Sequence, residues 1–363
     1  MIHIFVGTKA QFIKMAPIMR ELDQRSINYN FIDSGQHAGL TGDLIQQFGL
    51  RKPDIFLRKE RTNIDTIPQA ISWSAKSAKH LIARREEILK GIFQGERGIC
   101  LIHGDTLSTL FSLLYAKRCG IKVAQVEAGL RSYHIFNPFP EEIIRLLVMR
   151  FSDILFAPSE WSYRNLKKMG YVDKSINVHT NTIVDTIRFA KNHINVLDRP
   201  SEPYVIVTIH RVETIYSRAR LSIIAALLDH IAQDRKVIFV LHEPTQHQLS
   251  RFGLIKKLRQ NPSIKILPIQ PYLSFLNLLA GADFVITDGG SIQEETYFLN
   301  VPCLIMRSKT ERREGLGENA CLSEFDEFQI DDFFKKLPML RRKNADQDLQ
   351  PSRLIVEHLS AWI

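Results

Sequence analysis

Between residues 101 and 142 the chain reads LIHGDTLSTLFSLLYAKRCGIKVAQVEAGLRSYHIFNPFPEE. Its two short apolar runs, 98–103 and 121–126, are each followed at once by a carboxylate, Asp105 and Glu127. A third acidic site, Glu141 and Glu142, comes after a loop and a Pro-Phe-Pro turn. Buried strands that alternate with helical segments have to pair as a parallel sheet covered on both faces. In such open sheets ligands lie just past the carboxyl ends of the strands. Three carboxylic sites at those positions are candidate acid/base groups rather than surface charges.

The same alternation runs through the chain and is interrupted once. Residues 2–6 form an apolar run closed by Gly7-Thr8-Lys9, and Lys14-Met15-Ala16-Pro17 opens an amphipathic segment to about residue 22. The pattern predicts strands at 28–32, 99–103, 122–126 and 154–157. It predicts helices over 65–93 and 108–117, one starting near Glu141, and one capped by Ser159. From 181 to 203 it weakens into a short helix and Asp198-Arg199-Pro200-Ser201-Glu202-Pro203, which marks a boundary. It restarts with strands at 204–209, 237–241, 264–267, 284–287 and 303–306, separated by helices, including a basic one to about 260 and others over 273–279 and 291–299. The expected class is α/β: two Rossmann-like lobes with parallel sheets, 1–180 and 204–345, joined by a linker at 181–203. The last segment, 346–363, is expected to be a helix packing back on the first lobe.

A chain of 363 residues is long enough for two such cores. The formal net charge of +9 would suit an anionic partner, but the basic residues are dispersed and do not alternate with aromatics. No nucleic-acid partner is expected. No apolar run approaches the length of a membrane span, and MIHIFVG reads as a strand rather than a signal peptide. Cys100, Cys119, Cys303 and Cys321 have no metal-type spacing and read as reduced thiols of a cytoplasmic protein. The first turn lacks G-x-G-x-x-G, and P-loop, H-E-x-x-H and G-x-S-x-G motifs are missing. Neither a dinucleotide cofactor nor a metal is expected.

Two places offer anion sites. Gly7 with Lys9 and Lys14 stands at a helix start, although a plain strand–helix turn with surface lysines is an equal reading. In Thr287-Asp288-Gly289-Gly290-Ser291-Ile292-Gln293-Glu294-Glu295, glycines precede a helix whose first N–H groups suit a diphosphate. Glu294 or Glu295, one turn on, could accept hydrogen bonds from ribose hydroxyls. His210-Arg211 ends the first strand of the second lobe, and Lys309, Arg312 and Arg313 follow a later one. His103 is read as packing at its strand end.

These residues together resemble the non-hydrolysing UDP-N-acetylglucosamine 2-epimerases. The likeness is carried by Gly7-Thr8-Lys9, Ile13-Lys14-Met15-Ala16-Pro17, Gln36-His37, His103-Gly104-Asp105-Thr106, Val126-Glu127-Ala128-Gly129-Leu130-Arg131 and Pro140-Glu141-Glu142. It continues in Asn181-Thr182-Ile183-Val184-Asp185, His210-Arg211, Thr287-Asp288-Gly289-Gly290, Ile292-Gln293-Glu294-Glu295 and Thr310-Glu311-Arg312. The resemblance implies a fold of glycosyltransferase-B type with the active site in the interlobe cleft, a UDP-sugar substrate, no cofactor and a homodimer. It implies inversion at C2 of the sugar by elimination and re-addition of UDP, for surface polysaccharide supply. Asp105, Glu127 and Glu141 become the acid/base set by resemblance, without a face being assigned to each. His210 would lie at the diphosphate with Lys9 and Lys14 near it. Gly289, Gly290 and Ser291 would hold phosphate and Glu295 the ribose. Arg131, Arg211 and Arg312 would be further substrate contacts.

The chain departs from the family pattern at three points. Lys9-Ala10-Gln11 stands where Arg-Pro-Glu is usual, Gly289-Gly290-Ser291 permutes Ser-Gly-Gly, and Val212 replaces a second arginine after His210-Arg211. Lysine keeps the charge of arginine but not its bidentate geometry. These changes suggest a sugar other than plain UDP-N-acetylglucosamine, or altered control. A glycosyltransferase of the same fold, a hydrolysing relative that releases UDP and free sugar, and a binding protein without turnover are the competing readings.

Overall fold

The computed structural model describes residues 1–36, 38–58, 67–135, 140–193, 198–310, 312–340 and 348–362. His37, Asp65, Pro138, Phe139 and Glu311, all part of the sequence reading, lie outside the described residues. The chain forms two compact units, Met1–Thr186 with Asp348–Ile363, and Ile187–Gln347.

The first unit is built on a parallel sheet of β1 (Ile2–Val6), β2 (Tyr29–Asp33), β3 (Ile55–Phe56), β4 (Ile99–His103), β5 (Lys122–Val126), β6 (Ile154–Ala157) and β7 (Ser175–Asn177). Among the described residues the order is β3-β2-β1-β4-β5-β6-β7. Ile2 pairs with Tyr29 on one side and with Ile99 on the other. Every residue of β1, β2 and β4 is buried, as a sheet covered on both faces requires. The chain leaves β1 in one direction and returns at β4 in the other. That reversal opens a crevice at the carboxyl ends of β1 and β4.

The second unit repeats the plan with β8 (Tyr204–Thr208), β9 (Lys236–Val240), β10 (Ile264–Leu267), β11 (Phe284–Thr287), β12 (Cys303–Ile305) and β13 (Ala320–Leu322). The order is β10-β9-β8-β11-β12-β13, all parallel, so its switch point lies between β8 and β11. His210 follows one of these strands and Asp288 the other.

Several boundaries differ from the periodicity. The 65–93 segment is two helices, Ile67–Ile82 and Arg85–Phe93. Arg84 between them is extended (φ −60°, ψ 141°), and the Ala83 N–H closes back on the His80 carbonyl. The basic segment before residue 260 likewise divides into Glu243–Arg251 and Ile255–Gln260, where Leu254 N–H bonds the Leu249 carbonyl. The edge strands β3, β7 and β13 have two or three residues each, too few to leave a period of two. The first helix starts at Lys9 rather than Lys14, with Thr8 as N-cap, and so contains Pro17. Proline has no N–H to offer the Ile13 carbonyl. The Thr186 hydroxyl supplies that bond at 2.8 Å, and the Thr182 hydroxyl bonds the Lys14 carbonyl at 2.6 Å. These bonds tie residues 181–186 to the first unit. The division therefore falls inside the helix Ile183–Lys191 and not in the proline-rich stretch.

The terminal helix Pro351–Leu359 belongs to the first unit, where it packs on the helix Lys9–Gln24. Its Ser352 N–H donates to Asp185 at 2.9 Å, and Ile355, Val356 and Leu359 are fully buried. The helix Glu141–Phe151 ends under the Lys174 ammonium, which donates to the carbonyls of Met149, Arg150 and Ser152 at 2.8, 3.0 and 2.8 Å. No described helix is long and apolar enough to cross a membrane.

His3 on β1 is fully buried beside Asn30 (3.1 Å) and the edge of Phe93. Burial lowers its pKa from 6.5 to about 4. Neutral His3 is then the folded form, so stability is full above pH 6.5 and is lost as pH falls from 6.5 to about 4. The loss should reach about 3 kcal/mol. Urea midpoints measured across that window should fall more steeply for the native chain than for His3→Gln; parallel curves would contradict it.

Candidate functional site

Each unit carries a group of polar side chains at its switch point. In the first, the turn after β1 and the turn after β4 are joined by Gln11. Its side-chain oxygen accepts the N–H groups of Gly7 (2.9 Å) and Thr8 (3.1 Å). Its amide nitrogen donates to the His103 carbonyl (2.7 Å) and to the hydroxyls of Thr106 and Thr109 (2.9 and 2.8 Å). A carboxylate in place of Gln11 would lack those donors. Gly7 lies so close to the next turns that a Cβ there would come within 2.1 Å of Ser108 Oγ and 2.3 Å of Ser34 Oγ. The strand ends of β1, β2 and β4 are thereby held together.

Glu127 follows β5 and is 7% exposed. One of its oxygens, Oε2, receives Lys14 Nζ at 2.5 Å and Asn181 Nδ2 at 2.6 Å, with His103 Nε2 at 3.3 Å. The Glu127 backbone lies in the left-handed region, at φ +65°. Lys14, expected near a diphosphate, is itself buried and spends its ammonium on this carboxylate. His103, read as packing only, also faces it.

Asp105 follows β4 and is bound by the Arg145 guanidinium, which at the same time donates to Glu142 Oε2 at 2.5 Å. Glu142 takes a further bond from Arg131 Nε at 2.5 Å and one from the Ser132 N–H at 3.1 Å. Burial by itself would raise the Glu142 pKa, but these donors hold it below the usual carboxylate range. Burial likewise disfavours the Arg145 cation, and Asp105 and Glu142 more than reverse this. Arg131, expected at the substrate, is committed to Glu142 and stacks over Tyr133 at 4.9 Å. Glu141 is different. It is the first residue of the helix Glu141–Phe151, is half-buried, and its Oε2 has no hydrogen-bond partner among the described residues.

In the second unit, Asp288 is fully buried at the end of β11. Its two oxygens accept the backbone N–H groups of His210 (3.0 Å) and Arg211 (2.9 Å), which fixes the turn after β8. The His210 ring stacks on His242 at 5.0 Å between centroids. Packing lowers the His210 pKa, with Asp288 pulling the other way, and 37% exposure of the side chain tempers the shift. Gly289 is the N-cap of the helix Gly290–Leu299; a Cβ there would meet His210 Cε1 at 2.8 Å. The first N–H groups of that helix, at Gly290, Ser291 and Ile292, have no intrahelical acceptors. Glu295 accepts from the Tyr272 hydroxyl at 3.0 Å, while Arg312 Nη1 bonds Glu294 at 2.5 Å. Lys9 is the first residue of its helix and half-buried.

Sequence reasoning did not single out Gln11, Arg145, Asn181, Asp288 or His242 as site groups. Arg145 had a signal, since it stands one helical turn after Glu141-Glu142. Asn181 had one only as a member of the motif Asn181–Asp185, and His242 had none, because its partner is distant in the chain. Among the described residues no group of three or more His, Cys, Asp or Glu is placed to hold a metal.

Known proteins resemble this chain over most of its length. A family model described as UDP-N-acetylglucosamine 2-epimerase matches residues 20–350. A UDP-N-acetylglucosamine 2-epimerase of Methanococcus maripaludis is 35% identical over 332 residues, 88% of this chain and 86% of the relative. A UDP-2,3-diacetamido-2,3-dideoxy-D-glucuronate 2-epimerase of Pseudomonas aeruginosa is 30% identical, over 84% of this chain and 83% of its own. The crystal structure of Methanocaldococcus jannaschii UDP-GlcNAc 2-epimerase in complex with UDP-GlcNAc and UDP is similar with a TM-score of 0.81, 30% identity and 99% coverage of both chains.

The contrast between adjacent glutamates is open to measurement. Glu142→Gln leaves the buried Arg145 and the partly buried Arg131 guanidinium groups short of charge and should cost about 3–5 kcal/mol in urea unfolding. Glu141→Gln, with no cation on it among the described residues, should cost less than about 1 kcal/mol. Equal losses would show that the network does not centre on Glu142.

Proposed function

We propose that this chain, which belongs to the UDP-N-acetylglucosamine 2-epimerase family of isomerases, inverts C2 of a UDP-2-acetamido sugar without releasing free sugar. The observation that supports the reading is the placement of Asp105 and Glu127 just past the carboxyl ends of β4 and β5, with Glu141 opening the helix that supplies Arg145 to Asp105. Two of them are already held by cations. The C2 proton of such a sugar is weakly acidic, so its removal needs a placed carboxylate base. As the proton leaves, the C1–O bond breaks, its electron pair passes to the diphosphate oxygen, and a 2-acetamidoglucal remains beside UDP. Re-addition forms the C1–O bond again while a carboxylic acid returns a proton to the opposite face of C2.

The departing diphosphate gains charge, which preplaced donors can stabilise. We assign that task to His210 and Arg211, to the helix start at Gly289, Gly290 and Ser291, and to Lys9. Glu295 is assigned to the ribose. Lys14, lying on Glu127, belongs in this reading to the acid/base set, and Arg131 and Arg312 support Glu142 and Glu294. The bound UDP-GlcNAc and UDP of the Methanocaldococcus relative support the substrate class. The Pseudomonas relative, named for a sugar modified at C3 and C6, keeps the sugar's other substituents open. Supply of an aminosugar for surface polysaccharide, a homodimer and a cytoplasmic location complete the proposal.

Proton NMR of UDP-2-acetamido sugars with the enzyme in deuterated water tests it. The C2 signal should disappear as the gluco and manno epimers interconvert, with no free sugar accumulating. Asp105→Asn should slow exchange by about 100-fold or more while UDP affinity changes little. Stoichiometric release of UDP with free sugar would instead indicate hydrolysis, and release dependent on an added acceptor would indicate glycosyl transfer.

A further inference from the structure

We propose that Asn181 is a positioning residue that orients the Glu127 carboxylate and keeps it ionised, a role that rests on the acid/base reading above. Its amide donates to Glu127 Oε2 at 2.6 Å, on the oxygen that also receives Lys14. The other half of the amide is equally committed, since Asn181 Oδ1 accepts the Ile183 N–H at 3.1 Å. Those two bonds set the orientation of the amide. Turned over, it would place oxygen against carboxylate and nitrogen against an N–H. A side chain of this length that donates to a carboxylate and accepts from the backbone, without adding charge, has to be an amide. Asn181 is 4% exposed, so little water competes for either bond.

The placement of Asn181 is not a local accident. The Thr182 hydroxyl bonds the carbonyl of Lys14 itself, and the Thr186 hydroxyl bonds the carbonyl of Ile13. The segment that presents Asn181 is thus registered on the helix that presents Lys14, and both aim at one oxygen. Glu127 in turn sits in a backbone conformation that residues with a Cβ rarely adopt. Its side chain is held by Lys14 and Asn181. Charged or titratable groups facing Glu127 among the described residues include Lys14 from the helix Lys9–Gln24 and His103 from the end of β4. Asp105, from the turn after β4, is already matched by Arg145. Asn181 adds a neutral donor to this set, stabilising the anion without competing for its charge.

Asn181→Asp changes the donor to an acceptor while its other oxygen still serves the Ile183 N–H. A carboxylate then faces Glu127 Oε2, and like charge raises the pKa of Glu127. The titration of Glu127, followed by carbon-13 NMR of its side-chain carboxyl and identified by loss of the signal in Glu127→Gln, should move to higher pH. The acid limb of the pH–rate profile for C2 exchange should move with it, and exchange near pH 7 should slow about 100-fold. UDP affinity should stay within about twofold. Asn181→Ala, which removes the donor and adds no charge, should move both in the same direction by less, and it serves if the aspartate variant does not fold. An unmoved Glu127 titration in a folded variant overturns the proposal, as does a rate loss matched by an equal loss of UDP affinity. If the titration moves but the native chain exchanges no C2 proton of any UDP-2-acetamido sugar, the proposed reaction fails and the positioning stands.

Discussion

An ammonium and a carboxylate, each nearly stripped of water, meet where β5 ends. Lys14 and Glu127 have 3% and 6% of their side chains exposed and lie 2.5 Å apart. Either charge alone would be expensive to bury, so each is tolerable there because of the other. The pair also needs hydrogen bonds on its remaining faces, and the surrounding structure is arranged to provide them. Asn181 donates to the same oxygen, and His103 Nε2 lies 3.3 Å from it. The carbonyl freed by Pro17 is taken by Thr186, which brings residues 181–186 onto the helix of Lys14. A proline in the middle of a helix and a glutamate at positive φ look like local faults. They are two sides of one arrangement that delivers Lys14 and Glu127 to the same point.

The second unit solves a related problem with backbone donors. Asp288 is fully buried, and its oxygens are occupied by the N–H groups of His210 and Arg211. A carboxylate used this way acts as a template. It holds two successive residues past β8 in a fixed turn and leaves their side chains directed outward. The same strand end carries Gly289, where the lack of a Cβ lets the helix start approach His210. Charge in the first unit is balanced side chain against side chain; here it is spent on shaping a loop. That difference fits the tasks assigned to the units, proton transfer in one and anion binding in the other.

The parallel α/β plan was legible because long buried strands and amphipathic helices repeat a period, and the switch points follow from that plan. The carboxylates Asp105, Glu127 and Glu141 were legible for the same reason, as they stand directly after apolar runs or at a helix start. What could not be read was partnership. Lys14 looks like a surface lysine at a helix start, and nothing within a few residues of it announces Glu127, which is separated from it by 113 positions. The 65–93 segment looked continuous because its apolar residues keep step, while its break depends on one extended residue, Arg84. Edge strands of two or three residues are set by the neighbour they pair with, so β7 and β13 were invisible before the sheet existed. Local pattern yields position; the charge state of a site depends on residues that the pattern cannot bring together.

Glu141 and Glu142 show how far position alone can carry the argument. They are the same residue type, adjacent, at the start of one helix. Successive helical residues point about 100° apart, so they cannot share an environment. Glu142 turns inward, has no exposed surface and is enclosed by Arg131, Arg145 and the Ser132 N–H. It is fixed as an anion, and its effect on the site passes through Arg145 to Asp105. Glu141 turns away from that network, and no described cation is paired with its carboxyl group. A site that both removes and returns protons needs carboxyl groups whose environments differ, because groups with identical surroundings would favour the same protonation state. The helix supplies that difference by geometry. It commits Glu142 to Arg131 and Arg145 and leaves Oε2 of its neighbour without a hydrogen-bond partner among the described residues.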